Sequence, residues 1–179
     1  MMNLRGGIGV SKVQRGKQFE EQICESFEKV PNTSVTRLID PQNGYAGVRN
    51  ICDYIVYNYP NQYFIECKSC YGNTLSIYSN DPKKKYGAIT NNQWEGLEEK
   101  SKIKGVIAGY MIWFIDHDRT IFVPAQSMVV HRELGAKSYN IAKQWDSDYI
   151  EIKGKKKRIL FEYDMTEFFR KCTSNECTM

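Results

Sequence analysis

The sequence has no apolar run long enough to span a bilayer, which takes about 20 consecutive apolar residues, so a membrane-helix protein is excluded. Its N-terminus, Met-Met-Asn-Leu-Arg-Gly-Gly, lacks the apolar core of a secretory leader, and a cytoplasmic chain is expected. The six cysteines (Cys24, Cys52, Cys67, Cys70, Cys172 and Cys177) have no framework spacing. That argues against a disulfide scaffold and for free thiols in a reducing compartment. Cys67 and Cys70 do form a C-x-x-C, but on a continuing strand they would face opposite sides, a poor arrangement for zinc. Internal repeats and low-complexity segments are absent. Charge is nearly balanced, 25 Lys and Arg against 21 Asp and Glu, and the net +4 is too mild to identify a nucleic-acid partner by itself. What remains is 179 residues with 41% hydrophobic and 26% charged content, enough for one domain with a sizeable core. The expected layout is a mobile basic arm over 1–13, a single domain over 14–171 and a frayed tail over 172–179.

Two short stretches organise the chain, 51–57 and 62–68. Both are rich in β-branched and aromatic residues and read as strands, joined by a turn through Asn58, Tyr59, Pro60 and Asn61. Residues two apart on a strand share a face. Glu66 and Lys68 therefore point one way with Phe64, while Tyr63, Ile65 and Cys67 point the other. Hairpin pairing brings Asp53, near the start of the first strand, alongside the end of the second. Asp53, Glu66 and Lys68 then lie within reach of one another. Charged groups ending an apolar strand are expensive to bury without a partner or a function. Two carboxylates are hard oxygen ligands of the kind Mg²⁺ takes one or two at a time, and Lys68 would hold a water or a phosphate beside them. The ordinary alternative is a salt-bridge cluster at a strand end. A second E-x-K, Glu151-Ile152-Lys153, has no strand hairpin returning an Asp to it and reads as a polar strand.

Around this hairpin the remaining elements follow in order. Residues 14–30 read as a helix, with Phe19, Ile23, Phe27 and Val30 at helical spacing. Glu20 lies on the inward side, either salt-bridged at the core edge or a third acid at the same site. Arg15 and Lys17 flank Gly16 at the expected helix start, where phosphate binds readily. A strand over 34–39 and a loop lead to the hairpin, with Arg37 and Arg49 beside it. The connection 69–89 is long enough to be functional. In it Lys83, Lys84 and Lys85 adjoin Tyr71, Tyr78 and Tyr86, giving either cations and stacking surfaces for DNA or a solvated loop. A second helix starts near Thr90, whose capping box with Gln93 is followed by an apolar stripe of Trp94, Leu97 and Ile103. Residues 104–115 are apolar on both faces and read as the central strand. Asp116, His117 and Asp118 form a turn to a strand at 120–123. Pro124 and Gly135 bracket a third helix with His131 on an exposed stretch. Residues 137–148 read as irregular or weakly helical. Strands at 149–153 and 157–163 are expected to pair through Gly154, Lys155 and Lys156, and Thr166 to cap a last helix.

Asp53…Glu66-Cys67-Lys68 resembles the active-site signature of the PD-(D/E)xK nuclease superfamily. More narrowly, residues 15–128 resemble RecU-type Holliday junction resolvases of Gram-positive bacteria and their phages. The resemblance is carried by Arg15-Gly16 with Phe19-Glu20, Asp53-Tyr54, Phe64-Ile65-Glu66-Cys67-Lys68, Gln93-Trp94 with Leu97, the run from Gly105 through Tyr110 to Trp113-Phe114, and Phe122-Val123-Pro124-Ala125. It implies an α/β restriction-endonuclease-like fold, an αβββαβ core with a mixed central sheet flanked by helices. It also implies Mg²⁺ with Mn²⁺ as a substitute, a homodimer, and paired nicks in four-way or other branched DNA. By the same resemblance Asp53 and Glu66 hold the metal, with the Cys67 carbonyl as a further ligand. Glu20, Lys68 and Gln93 complete the catalytic set, and Arg15 and Lys17 hold the DNA backbone. With such a substrate, Lys12, Arg49, Lys83, Lys84 and Lys85 are, on their charge, the further expected DNA contacts, a solvated surface being the alternative. The sequence departs from the family twice. The stretch from Leu38 to Cys52 has room for a loop but not for the family's protruding stalk, and Cys52 replaces an acid before Asp53-Tyr54. A nuclease acting on linear duplex or flaps, and a DNA-binding module without catalysis, are the competing expectations.

Overall fold

The computed structural model describes residues 12–39, 50–77, 88–143 and 149–174. In chain order the elements are α1 (Lys12–Glu28), β1 (Thr33–Arg37), β2 (Tyr54–Asn58), β3 (Asn61–Cys70), β4 (Thr74–Ser76), α2 (Asn91–Ser101), β5 (Val106–Phe114), β6 (Arg119–Pro124), α3 (Ala125–Glu133), β7 (Ser138–Asn140), β8 (Ile150–Glu151), β9 (Gly154–Lys156), β10 (Phe161–Tyr163) and α4 (Met165–Thr173). Six strands form the main sheet in the order β1-β2-β3-β5-β6-β8. β3 and β5 are parallel and all other neighbours antiparallel. This is the mixed sheet of the expected α/β fold. Its αβββαβ order runs from α1 through β1, β2 and β3 to α2 and β5.

Strand alternation distributes the core over both faces. Tyr63, Ile65 and Cys67 meet Phe19, Ile23 and Phe27 of α1 and Phe168 and Phe169 of α4. Phe64, Ala108, Tyr110 and Ile112 meet Trp94 and Leu97 of α2 and Met128 of α3. Burying each large apolar side chain contributes about 1.5–3 kcal/mol, so the two faces fix the strand register. A slip of one residue would exchange every side chain between them. β5, apolar on both faces in sequence, is buried on both faces in the fold. Among the described residues, no helix is long and apolar enough to cross a membrane.

Several elements differ from the sequence expectation. α1 begins at Lys12, so Arg15 sits at the end of the first turn and Lys17 in the second, away from the strongest part of the positive helix end. Ile103 follows the end of α2 and is 51% exposed, so it adds nothing to the α2 core stripe. His131 is only 3% exposed, its ring edge-on to Tyr139. Tyr139 belongs to β7, which pairs with β4 inside stretches read as irregular and as loop. Gly154, Lys155 and Lys156 form β9 against β10, not a turn, while β8 pairs with β6. The glycine marks close strand packing: a Cβ there would lie 2.9 Å from Tyr163 Cδ1. Asp164, not Thr166, caps α4, its carboxylate accepting from the Thr166 N–H. The 116–118 turn forms as expected, with Asp118 in the left-handed region. Residues 1–11 of the expected arm, the 40–49 loop and residues 175–179 of the expected tail lie outside the described residues.

Candidate active site

The β2–β3 register pairs Tyr54 with Ile65, which sets Asp53 beside Glu66. Two bonds extend the ladder past β2 and fix Asp53. Its N–H donates to the Ile65 carbonyl at 3.0 Å, and its Oδ2 accepts from the Cys67 N–H at 2.7 Å. The Cys67 carbonyl projects from the same strand edge, since a strand residue directs both backbone groups to one neighbour.

Glu66 is 2% exposed. Its Oε1 accepts from Lys68 Nζ at 2.6 Å and from Gln93 Nε2 at 2.5 Å. Its Oε2 is buried and has no hydrogen-bond partner among the described residues. Burial pushes the Glu66 carboxyl up to about 8, with Lys68 opposing the shift and Asp53 adding to it. Gln93 reaches Glu66 from the first turn of α2 while completing the capping box. Its Oε1 accepts from the Thr90 N–H at 3.0 Å, and Thr90 Oγ1 accepts from the Gln93 N–H at 3.4 Å. A glutamate would serve the cap equally well but would set a second carboxylate against Glu66. Gly96, one turn further, allows the approach: a Cβ there would lie 2.3 Å from Ile51 Cγ2.

Glu20 comes from α1 on the other face and meets these groups at the sheet end. Its backbone carbonyl accepts from the Tyr54 hydroxyl at 3.1 Å, and its carboxylate lies 3.5 Å from Arg37 Nη2. Burial raises its pKa and Asp53 raises it further, against Arg37, Lys68 and Lys17. Lys17, Glu20, Arg37, Asp53, Glu66 and Gln93 border a cavity of about 510 Å³.

Among the described residues, no three His, Cys, Asp or Glu side chains converge into a ready metal cage. Asp53 Oδ2 and Glu66 Oε1 are occupied by protein donors. Two hard carboxylates are nevertheless the complement Mg²⁺ takes, with waters filling its other positions. Among the described residues, Glu66 Oε2 has no competing hydrogen bond. The residues therefore fit a hard divalent cation.

Of the other expected contacts, Lys17 borders the cavity and Arg15 lies with its guanidinium carbon 6.0 Å from the Tyr71 ring centroid. Lys12 is in the first turn of α1. Arg49, Lys83, Lys84 and Lys85 lie outside the described residues. In the second E-x-K, Glu151 pairs with Arg119 Nε and Nη2 at 3.0 and 2.5 Å on the sheet edge. Sequence reasoning missed the Tyr54 hydroxyl as a support for α1. A tyrosine in an apolar strand signals it, because a buried hydroxyl needs a partner.

No family model matches the chain, and no curated protein sequence matches it. Among solved structures it is similar to Hjc, a Holliday junction resolvase from Archaeoglobus fulgidus, at 17% identity and a TM-score of 0.44. The match covers 63% of this chain and 78% of that one. At that identity and TM-score the likeness assigns no activity to this chain.

Proposed function

We propose that the protein is a divalent-metal-dependent endodeoxyribonuclease of the PD-(D/E)xK type acting on branched DNA, foremost four-way junctions. The observation that carries this reading is the β2–β3 pairing, which sets Asp53 beside the Glu66-Cys67-Lys68 run, with Gln93 bonded to Glu66 and Glu20 on the same cavity. Asp53 and Glu66, with the Cys67 carbonyl, would hold Mg²⁺ or Mn²⁺, which supplies Lewis acidity toward a phosphate and lowers the pKa of a water. Lys68 orients the attacking water or donates to the scissile phosphate as its negative charge grows. Gln93 holds Glu66 and directs its amide toward water or DNA. Glu20 accepts a hydrogen bond from the same water. Lys12, Arg15, Lys17, Arg49, Lys83, Lys84 and Lys85 contact the DNA backbone, which positions the duplex without reading sequence. Symmetric nicks need two sites related by a two-fold axis, so the acting species is a homodimer, in the cytoplasm of a bacterial cell or phage-infected host.

A second substrate reading rests on the chain between β1 and β2. The Leu38 N–H donates to the Asp53 carbonyl at 2.8 Å, closing the ladder and leaving only a short connection where the resembled family has a stalk. That favours a nuclease of the same chemistry acting on linear duplex or flaps. Labelled four-way junction, flap and linear duplex, incubated side by side with Mg²⁺, Mn²⁺ or chelator, separate the two. Symmetric metal-dependent nicks confined to the junction support the resolvase. Equal cutting of all three supports the broader nuclease, and no cutting with either metal leaves a DNA-binding module.

A further inference from the structure

β3 continues beyond Lys68 and ends at Cys70. The next residue, Tyr71, stands at the surface, 38% exposed, with the Arg15 guanidinium 6.0 Å from its ring centroid. The segment carrying it is tied on both sides. The Gly72 N–H donates to Asp116 Oδ2 at 2.7 Å, and Asn73 Oδ1 bonds His117 Nε2 at 2.5 Å. The Asn73 carbonyl accepts from the Ile141 N–H at 2.9 Å. Gly72 takes φ +71, a conformation that other residues rarely adopt, and so turns the chain directly after the tyrosine. The backbone that follows the ring is thus held, so binding at the ring would order little further chain. Arg15 Nε is buried and has no hydrogen-bond partner among the described residues.

The placement relative to the cavity is set by strand alternation. Glu66 and Lys68 face α2, whereas Ser69 lies 3.7 Å from the position of a Cβ on Gly16 of α1. Tyr71 follows Ser69 onto the α1 side, where Arg15 meets it. Two residues, Ser69 and Cys70, lie between Lys68 and Tyr71, so their backbones are at most about 10 Å apart, a few base spacings of about 3.4 Å. Lys17, two residues on from Arg15 in α1, borders the cavity. An aromatic face with an adjacent guanidinium suits the π-face of a nucleobase. Lys17 on the cavity rim suits a connecting phosphate.

We propose that Tyr71, backed by Arg15, is a stacking platform for an unpaired nucleobase, through which the site prefers branched DNA that carries or can open unpaired nucleotides beside the cleaved bond, as a flap, a fork or the opened centre of a four-way junction does, over continuous duplex. This rests on the nuclease reading of the Asp53–Glu66 cavity. A paired base presents its edges and keeps its faces stacked within the duplex, so only an unpaired base can use the ring.

The test is equilibrium binding in chelator, where no cleavage is required. The probes are a forked duplex with 2-aminopurine in its single-stranded arm and a linear duplex with the same base paired. The wild-type chain quenches the 2-aminopurine of the fork and binds the fork at least about tenfold more tightly than the duplex. Tyr71→Phe keeps both properties. Tyr71→Leu, with a wild-type melting temperature, loses the quenching and about tenfold of fork affinity while duplex affinity stays. Full quenching and an unchanged fork preference in Tyr71→Leu would overturn the platform. So would a wild-type chain that binds fork and duplex equally without quenching, an outcome that leaves the nuclease reading standing. A wild-type chain that binds neither DNA refutes both.

Discussion

Glu66 concentrates the chemistry of the site in one residue. Its carboxyl is held up to about 8 against an ordinary value of 4.5, burial being the main cause. Between those values the folded chain binds a proton that the unfolded chain has released. The associated stability is therefore complete below about pH 4.5 and declines as pH rises through about 8. Metal-free protein melted in chelator from pH 5 to 8.5 is expected to lose stability with rising pH, and Glu66→Gln to flatten that slope. Equal slopes for the two would contradict the buried, raised carboxyl. Gln93 gives a second test at this scale. Gln93→Glu preserves the capping box but sets a carboxylate in place of the amide that donates to Glu66 Oε1. Helix content should stay and cleavage should fall at least about tenfold, because a donor becomes a like charge. The juxtaposition of Asp53, Glu66 and Lys68 was legible from strand period and a short turn, whereas Gln93 was legible only as a cap, its place beside Glu66 following from the family resemblance and not from the cap. The burial of His131 was not, because it depends on Tyr139 arriving from a strand read as irregular.

At the scale of elements, the site depends on how closely α2 approaches the sheet. Gly96 has no Cβ, and one would lie 2.3 Å from Ile51 Cγ2 and 2.7 Å from Ile51 Cβ. Alanine is the better helix former by up to about 1 kcal/mol, yet here it must push α2 away from residue 51. Gly96→Ala is expected to lower stability by about 1–3 kcal/mol and to reduce cleavage by moving Gln93 off Glu66. Ile51→Ala added to it should restore part of both, read by chemical denaturation and single-turnover rates. An activity unaffected by Gly96→Ala would show that α2 does not set the geometry. The larger elements were legible because their periods are long and clean: Phe19, Ile23 and Phe27 on α1, and the two-faced apolar run of β5. The short ones were not. β4, β7 and β9 each have three residues, too few for a period to show, and their pairing is decided by partners distant in sequence. Gly154 was read as a turn residue because a glycine required by close packing looks the same in sequence as one required by a turn.

On the scale of the whole molecule, two helical layers clamp a mixed sheet, and the end of that sheet gathers acids from both faces. Glu20 arrives on α1, Glu66 faces α2, and Asp53 stands between them at the mouth of the β2–β3 hairpin. The fold alone does not define an activity; the convergence of these groups on one cavity is what supports the proposed one. The most direct measurement is cleavage of a labelled four-way junction by wild type, Asp53→Asn and Glu66→Gln in Mg²⁺ and in Mn²⁺, with each variant's melting temperature and DNA affinity measured alongside. The predicted result is metal-dependent cutting by wild type that falls at least about a hundredfold in either variant, with folding and DNA binding retained. Cutting by both variants at the wild-type rate would contradict the assignment of this cavity as the active site.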